Sequence, residues 1–231
     1  MCGRFISTST PEQLAERLDV DAVKTEQLPI HYNVAPTMDV YAVLERDGSR
    51  RLGTLRWGFV PYWTKQLKGT RQPINARLET VATSKMFAQS FAKRRCIIPA
   101  DGFYEWQDRG DNTKKQPFHL AQPDDDILAF AGIWTAWRDP TDEHNDPLFS
   151  AAIVTTEARG DISRIHPRMP VMLPQTLWRH WLTADEDEAP HLKDAIGELE
   201  APRLTATSIT GRVNTVANDG PELLEPGAIA G

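Results

Sequence analysis

The sequence predicts an α+β fold, with a mostly antiparallel, barrel-like β core and peripheral helices in a single domain that spans residues 1–231. Runs rich in β-branched and aromatic residues are separated by turn residues, which is typical of strands. These runs do not alternate regularly with helical segments, as a doubly wound parallel sheet would require. A chain of 231 residues with 40% hydrophobic and 25% charged residues is also long enough to bury a sizeable core.

The predicted strands are the apolar runs that lie between turn signals. They cover residues 40–44, 95–99, 103–106, 127–137, 149–155 and 204–213. Residues 108–112 read Asp-Arg-Gly-Asp-Asn, a composition that favours a tight turn. We therefore expect this turn to join two of the strands as a hairpin.

The first predicted helix has the clearest start signal in the chain. Thr10 is placed to cap it, Pro11 suits the first helical position, and Gln13 stands where a capping-box partner belongs. Apolar spacing predicts three further helices. They cover residues 84–93, the segment after Pro174 that includes Trp178 and Trp181, and residues 191–199.

Charge is distributed unevenly along the chain. The net charge is −6, yet residues 56–95 carry nine basic residues against one acidic residue, a local charge of +8 that leaves −14 for the rest. A basic face on an acidic body is what a phosphate-binding surface would look like, and a merely solvated basic face is the alternative.

Compartment and cofactors are inferred from what the sequence lacks. It has no apolar stretch of the ~20 residues that a membrane span needs, and no apolar segment follows a basic start as in a signal peptide. We therefore expect a cytoplasmic protein, and we expect a monomer. Two cysteines make no disulfide framework, and Cys96, within an apolar run, is predicted to be a core residue. Neither metal-ligand spacing nor a nucleotide-binding loop is present, so no metal and no cofactor are expected.

The chain begins with Met1, Cys2 and Gly3, and this start has a specific chemistry. Removal of Met1 would leave a free α-amine and a thiol on Cys2, with reference pKa values of about 7.7–8.0 and about 8.5. Such a 1,2-aminothiol condenses with an aldehyde to an imine, and the thiol then closes a five-membered thiazolidine. The ring-opened sugar of an abasic site in DNA carries such an aldehyde.

Six motifs occur in order along nearly the whole chain. They are residues 1–5 (MCGRF), 32–37 (YNVAPT), 56–61 (RWGFVP), 75–80 (NARLET), 95–106 (RCIIPADGFYEW) and 166–171 (HPRMPV). The tail, with residues 213–216 (VNTV) and 218–221 (NDGP), fits the same pattern. Together these motifs resemble the SOS response-associated peptidase family.

The resemblance implies a sensor of abasic sites in single-stranded DNA that forms a thiazolidine crosslink. It assigns the nucleophile to Cys2 and implies that Asn75, Glu105 and His166 line the site. The residue chemistry agrees with this assignment. Glu105 lies in an aromatic run that would raise its pKa, His166 titrates near neutrality, and the Asn75 amide offers both a donor and an acceptor.

The predicted DNA contacts are of two kinds. Arg4, Arg77 and Arg168 are candidates to bind phosphate, because a guanidinium binds phosphate through paired hydrogen bonds. Four aromatic side chains are candidates to stack on unstacked bases: Trp57, Phe59, Trp63 and Trp106. We expect at least two of these four to be core residues instead.

Three other functions remain open from the residues. An N-terminal-nucleophile amidohydrolase would use the Cys2 thiol for acyl transfer, and glutamine hydrolysis would reveal it. An autocatalytic peptidase would remove Met1 by itself. A single-strand-binding module would bind DNA equally well with and without an abasic site. Cleavage of DNA at the lesion, a lyase outcome, would compete with the crosslink if the imine persisted.

Overall fold

The computed structural model describes residues 2–110, 114–142, 146–200 and 202–227, and its strands form two sheets. The smaller sheet has the strand order β13-β9-β8-β1-β3, and all its pairs are antiparallel. Its strands are β1 (Phe5–Ser7), β3 (His31–Val34), β8 (Gly102–Gln107), β9 (Gln116–Ala121) and β13 (Thr205–Ser208). The N-terminal strand β1 is thus an inner strand of this sheet, between β8 and the edge strand β3.

The larger sheet contains the remaining strands. They are β2 (Ala22–Val23), β4 (Asp39–Arg46), β5 (Ser49–Trp57), β6 (Asn75–Arg77), β7 (Arg95–Ala100), β10 (Leu128–Trp137), β11 (Leu148–Glu157) and β12 (Arg168–Pro170). The order is β12-β11-β10-β7-β4-β5-β2, with β6 alongside β11. A parallel pairing of β11 with β5 closes β11, β10, β7, β4 and β5 into a ring.

The prediction of a mixed fold with a mostly antiparallel, barrel-like core is confirmed. The ring is not a clean barrel, because β2, β6 and β12 pair with it from outside. The parallel pairs in the described part of the chain involve only β11 with β5 or β6, and β2 with β5.

Strand β7 shows how the sequence builds two hydrophobic cores. All six of its residues are buried, and alternate side chains face opposite sides of the ring. Ile97 packs with the helices, including Trp181, whereas Cys96 and Ile98 pack between the sheets with Phe5. The prediction that Cys96 is a core residue is therefore confirmed, because its exposed fraction is 0%.

Within the described residues, five α-helices flank the sheets: α1 (Pro11–Arg17), α2 (Leu78–Val81), α3 (Ala88–Lys93), α4 (Gln175–Thr183) and α5 (Ala189–Gly197). The predicted capping box is present, since Thr10 accepts from the Gln13 amide and the Gln13 side chain accepts from the Thr10 amide. The helix predicted for residues 84–93 begins only at Ala88, because residues 85–87 form a turn, and α2 was not predicted. Helix α5 lies two residues before its predicted position. No helix in the described part of the chain is long and apolar enough to cross a membrane.

The prediction of a strand over residues 204–213 is wrong beyond Ser208. The chain there forms a 3₁₀ turn, Gly211–Asn214, because the Val213 carbonyl accepts hydrogen bonds from Arg4 and Asn33 instead of pairing in a sheet. Strands β8 and β9 do form an antiparallel pair, with Gln107 opposite Gln116. Of the hairpin turn predicted between them, Asp111 and Asn112 lie outside the described residues.

Candidate active site

Cys2 lies three residues before the first residue of β1 and is buried between the two sheets. Its exposed fraction is 0%, and it belongs to the core cluster that contains Phe5 and Trp57. Burial, and secondarily the charge of Glu105, raises the pKa of the Cys2 thiol well above its usual value. Because the thiolate is the nucleophilic form of a cysteine, the thiol of the folded chain needs a base when it reacts.

Asn75 holds the backbone of Cys2. It is the first residue of β6, which runs parallel to β11 with Asn75 opposite Ile153. Its Nδ2 donates to the Cys2 carbonyl oxygen at 2.9 Å. Its Oδ1 is buried and has no hydrogen-bond partner among the described residues. One amide therefore positions Cys2 and keeps an acceptor available beside it.

Glu105 is brought to the N-terminus by the pairing of β1 with β8. Phe5 lies opposite Phe103, and the antiparallel register carries the residues before Phe5 toward Glu105. The side chain of Glu105 is 2% exposed, and burial raises its pKa to about 7. At neutral pH this carboxyl group is therefore divided between its acid and its base form.

His166 faces Glu105 from the segment before β12. Its Nε2 lies 3.8 Å from Glu105 Oε2, and its Nδ1 lies 3.0 Å from both the amide nitrogen and the carbonyl oxygen of Arg168. When Nδ1 accepts from the amide, the neutral ring carries its proton on Nε2, directed at Glu105. Burial lowers the pKa of His166, which favours this neutral ring.

The four predicted site residues Cys2, Asn75, Glu105 and His166 thus lie in one continuous group. Asn75 touches the Cys2 backbone, Glu105 lies near enough to shift the Cys2 pKa, and His166 faces Glu105. The group contains a nucleophile, an orienting amide and a pair of titratable groups, which is the inventory that acid–base-assisted covalent chemistry requires.

The three candidate phosphate ligands differ in their surroundings. Arg77 is exposed, and its guanidinium group has no hydrogen-bond or ion-pair partner among the described residues. Arg168 is committed to Glu79, with nitrogen–oxygen distances of 2.6 and 3.0 Å, and also donates to the Thr155 carbonyl. Arg4 donates through Nη1 to Asn33 Oδ1 and to the Val213 carbonyl. Arg4 and Arg168 thus already have partners within the protein, and phosphate binding by all three arginines stays a prediction.

Trp57 and Phe59 are corrected from candidate stacking residues to core residues. Trp57 is 0% exposed, packs on Phe5 with ring centroids 5.1 Å apart, and donates to the Ile74 carbonyl. Phe59 is 1% exposed and packs on Phe87. Neither ring can stack on a base without opening the core.

Trp63 and Trp106 keep accessible surface. Trp63 is 48% exposed and meets Tyr62, itself 54% exposed, with ring centroids 4.8 Å apart. Trp106 is half-buried, and its Nε1 donates to Asn214 Oδ1 at 2.7 Å. Tyr62 was missed by the sequence analysis, although its position beside Trp63 was a usable signal.

Asn33 is a second residue that sequence reasoning missed. It is 1% exposed, accepts from Arg4, and donates through Nδ2 to the carbonyls of Val213, Thr215 and Asn218. It therefore ties the N-terminal strand to the tail. The signal was its place in the motif of residues 32–37.

Comparison with known proteins supports the motif-based resemblance. The family model for SOS response associated peptidase (SRAP) matches residues 1–216. The abasic site processing protein YoqW of Bacillus subtilis is 34% identical, over 97% of this chain and 99% of its own length. The abasic site processing protein YedK of Escherichia coli is 35% identical, over 98% of this chain and 100% of its own length.

A solved structure shares the fold. A protein from Bacteroides thetaiotaomicron superposes with a TM-score of 0.82, at 21% identity, over 98% of this chain and 100% of its own. The chain thus has this two-sheet fold with a buried Cys2, and the family model matches most of its length. The chain belongs to the SOS response associated peptidase (SRAP) family.

Proposed function

We propose that this protein recognises abasic sites in single-stranded DNA and captures them covalently through Cys2 after Met1 has been removed. The observation that carries the proposal is the contact of Asn75 with the Cys2 backbone, beside the buried pair of Glu105 and His166. The names of YoqW and YedK, both abasic site processing proteins, supply the substrate class.

The proposed reaction has two bond-forming steps. The Cys2 amine adds to the C1′ aldehyde of the ring-opened sugar, and the resulting carbinolamine loses water to give an imine. The thiol sulfur then bonds to the imine carbon while the thiol proton passes to the imine nitrogen. The product is a thiazolidine that links the protein to DNA, and no oxidant or metal is consumed.

Glu105 suits the proton transfers of both steps. Its pKa of about 7 means that the acid form can protonate the departing hydroxyl and the carboxylate can accept the thiol proton. A base is needed because the Cys2 thiol is buried and protonated at rest. His166, with Nε2 directed at Glu105, exchanges protons with it, and Asn75 Oδ1 is available to accept from the new amine or a sugar hydroxyl.

The DNA is proposed to be held through its backbone and through exposed rings rather than through a base code, because the target lacks a base. Arg77, exposed and two residues from Asn75, is the leading phosphate ligand. Trp63 and Trp106 are the rings with accessible surface for stacking on neighbouring bases. Arg4 and Arg168 can contribute only with the nitrogen atoms that their protein partners leave available.

Two side activities belong to the same proposal. Removal of Met1 would be either autocatalytic, as the family name suggests, or the work of a separate aminopeptidase. Strand cleavage by β-elimination would follow if the imine persisted before ring closure, which would give a lyase outcome. We further propose that the protein acts as a monomer in the cytoplasm.

The test uses Met1-free protein and a single-stranded oligonucleotide with one abasic site, separated on a denaturing gel. We expect a shifted band that survives without borohydride and is absent from Cys2→Ala. Cys2→Ser should lose the stable adduct while keeping an imine that borohydride traps. Equal crosslinking by Cys2→Ala and the unaltered chain would exclude the mechanism. Glutamine hydrolysis without any crosslink would favour an amidohydrolase instead.

A further inference from the structure

A groove of about 650 Å³ lies at the end of the β ring formed by the β4–β5 connection and the start of β11. We propose that this groove is a second binding site, which takes a segment of single-stranded nucleic acid independently of Cys2. The residues that argue for it are Arg46, Arg51, Lys93, Arg94, Trp134 and Phe149.

Two aromatic rings form the wall of the groove. Trp134 and Phe149 come from the paired strands β10 and β11, with ring centroids 6.0 Å apart. Phe149 is 43% exposed, which is high for a phenylalanine on a strand of the ring. An exposed ring on a rigid strand is a platform on which a base of any identity can stack.

Arginine accompanies the rings. The Arg94 guanidinium carbon lies over the Trp134 ring, 5.5 Å from its centroid. Stacking in this way orders the guanidinium plane while leaving its N–H edge able to donate to a phosphate. The groove therefore offers a base-stacking surface and a phosphate donor side by side.

The charge of the groove is the reverse of the charge of the chain. Its lining includes the five cations Lys24, Arg46, Arg51, Lys93 and Arg94 and the one acid Glu45, in a chain of net charge −6. Two acidic residues outside the lining reduce this excess of positive charge without cancelling it. Asp47 lies 3.4 Å from Arg51 and 3.8 Å from Arg46, and Glu186 lies 2.7 Å from Lys93.

Cations spread over separate elements, combined with the exposed Phe149 ring and the partly buried Trp134 ring, match a polyanion that carries flat bases. An acidic peptide would satisfy the cations but would leave the rings without a matching partner. An apolar partner would leave the cations desolvated and unpaired. Single-stranded nucleic acid satisfies both features, and we commit to it as the occupant.

The groove and the Cys2 site lie at different positions along β11. Asn75 is opposite Ile153, whereas Phe149 lies four residues earlier, about 13 Å away along a strand. The inference rests on the proposed function only for the ligand class. It is therefore tested with DNA that has no abasic site and forms no adduct.

The first experiment measures fluorescence anisotropy of a labelled oligothymidine without a lesion, over a series of salt concentrations. We expect Phe149→Ala to weaken binding about fivefold or more, since one stacked base is lost. Arg94→Gln should reduce the magnitude of the log–log salt slope by about 0.7, the contribution of one phosphate contact in a single strand. Arg179→Gln, an exposed arginine on α4 away from the groove, is the matched control and should change neither quantity.

The second experiment locates the contact directly. A 5-iodouracil oligonucleotide is photocrosslinked, and we expect the modified peptides to contain Trp134 or Phe149. Unchanged affinity in both groove variants, or crosslinks found only elsewhere, would overturn the inference. Displacement of the oligonucleotide by polyglutamate as effectively as by unlabelled DNA would overturn it in favour of an acidic peptide.

The two proposals fail separately. Covalent capture is scored with abasic DNA in the Cys2→Ala chain, and groove binding is scored with lesion-free DNA in the Phe149→Ala and Arg94→Gln chains. Loss of capture with intact groove effects would sink only the Cys2 chemistry. If Phe149→Ala does not fold, Arg94→Gln and the crosslink map still decide the inference.

Discussion

Replacing Glu105 by glutamine removes a buried ionisable group and keeps nearly the same shape. The carboxyl is 2% exposed, and burial raises its pKa from 4.5 to about 7. Below pH 4.5 the group is protonated in both the folded and the unfolded chain, and it adds no pH dependence. Between pH 4.5 and 7 the folded chain binds more protons than the unfolded chain, so the free energy of unfolding falls as pH rises.

The size of the effect follows from the two pKa values. At about 1.4 kcal/mol per pKa unit, a carboxyl raised from 4.5 to about 7 costs about 3 kcal/mol of stability above pH 7. Glutamine has no charge to bury, so the free energy of unfolding of Glu105→Gln should not fall in this way. The free energy of unfolding of Glu105→Gln minus that of the unaltered chain should therefore be about 3 kcal/mol larger at pH 8 than at pH 4.5. The same substitution should abolish or strongly slow crosslinking, because the proton donor and acceptor is gone.

Urea unfolding of the unaltered chain and of Glu105→Gln at pH values from 4.5 to 8 measures this difference. Glu198→Gln, which removes an exposed carboxylate after α5, is the control and should keep the pH profile of the unaltered chain. A gap between the two chains that stays constant across this range would refute the reasoning that Glu105 is buried with a raised pKa.

Three further substitutions have defined expectations. Asn75→Ala loses the hydrogen bond to the Cys2 carbonyl, so the initial rate of crosslinking on a denaturing gel should fall about tenfold or more; an unchanged rate would remove Asn75 from the site. Gly132→Ala places a methyl 2.7 Å from Cys96 Sγ and should cost about 1–3 kcal/mol in urea unfolding, partly recovered by Cys96→Ala. Arg95→Leu removes the hydrogen-bond donors of four carbonyls, those of Phe91, Ala92, Trp181 and Ala184. We expect the free energy of unfolding to fall by about 3 kcal/mol in the same assay, and to change little for Arg179→Leu, which replaces an exposed arginine.

Local signals predicted the elements whose stability is local. The capping box at Thr10 and Gln13 marked the start of α1 to the residue, and the apolar run of β7 marked a strand that is buried along its whole length. The pairing of β5 with β11 joins residues about 95 positions apart, such as Arg56 and Ser150, and no short-range pattern encodes it. The short segments α2 and β6 were not predicted, because three or four residues are too few to show a helical or strand periodicity.

The candidate site was predicted from motifs, but the state of its side chains was not. Trp57 and Phe59 have the residue type of a stacking surface. Only the fold reveals that both are core residues, Trp57 between the two sheets and Phe59 in the core that packs with the helices. Nothing in the sequence near Arg168 indicates a partner for its guanidinium group. The ion pair with Glu79, 89 positions away, is formed only in the folded chain. The pKa of Cys2 likewise depends on burial that its neighbours in sequence do not determine.

The hydrogen bonds of Asn33 bear on how the protein is made. The N-terminus leaves the ribosome first. Asn33, which accepts from Arg4, nevertheless donates to the carbonyls of residues that are synthesised late, namely Val213, Thr215 and Asn218. A nascent chain that has not yet emerged past this stretch lacks those partners, and so does a fragment truncated before it. The strand that follows Cys2 thus reaches its final surroundings late in translation. A prematurely terminated product would carry Cys2 without the hydrogen bonds from Asn33 to the tail that orient β1.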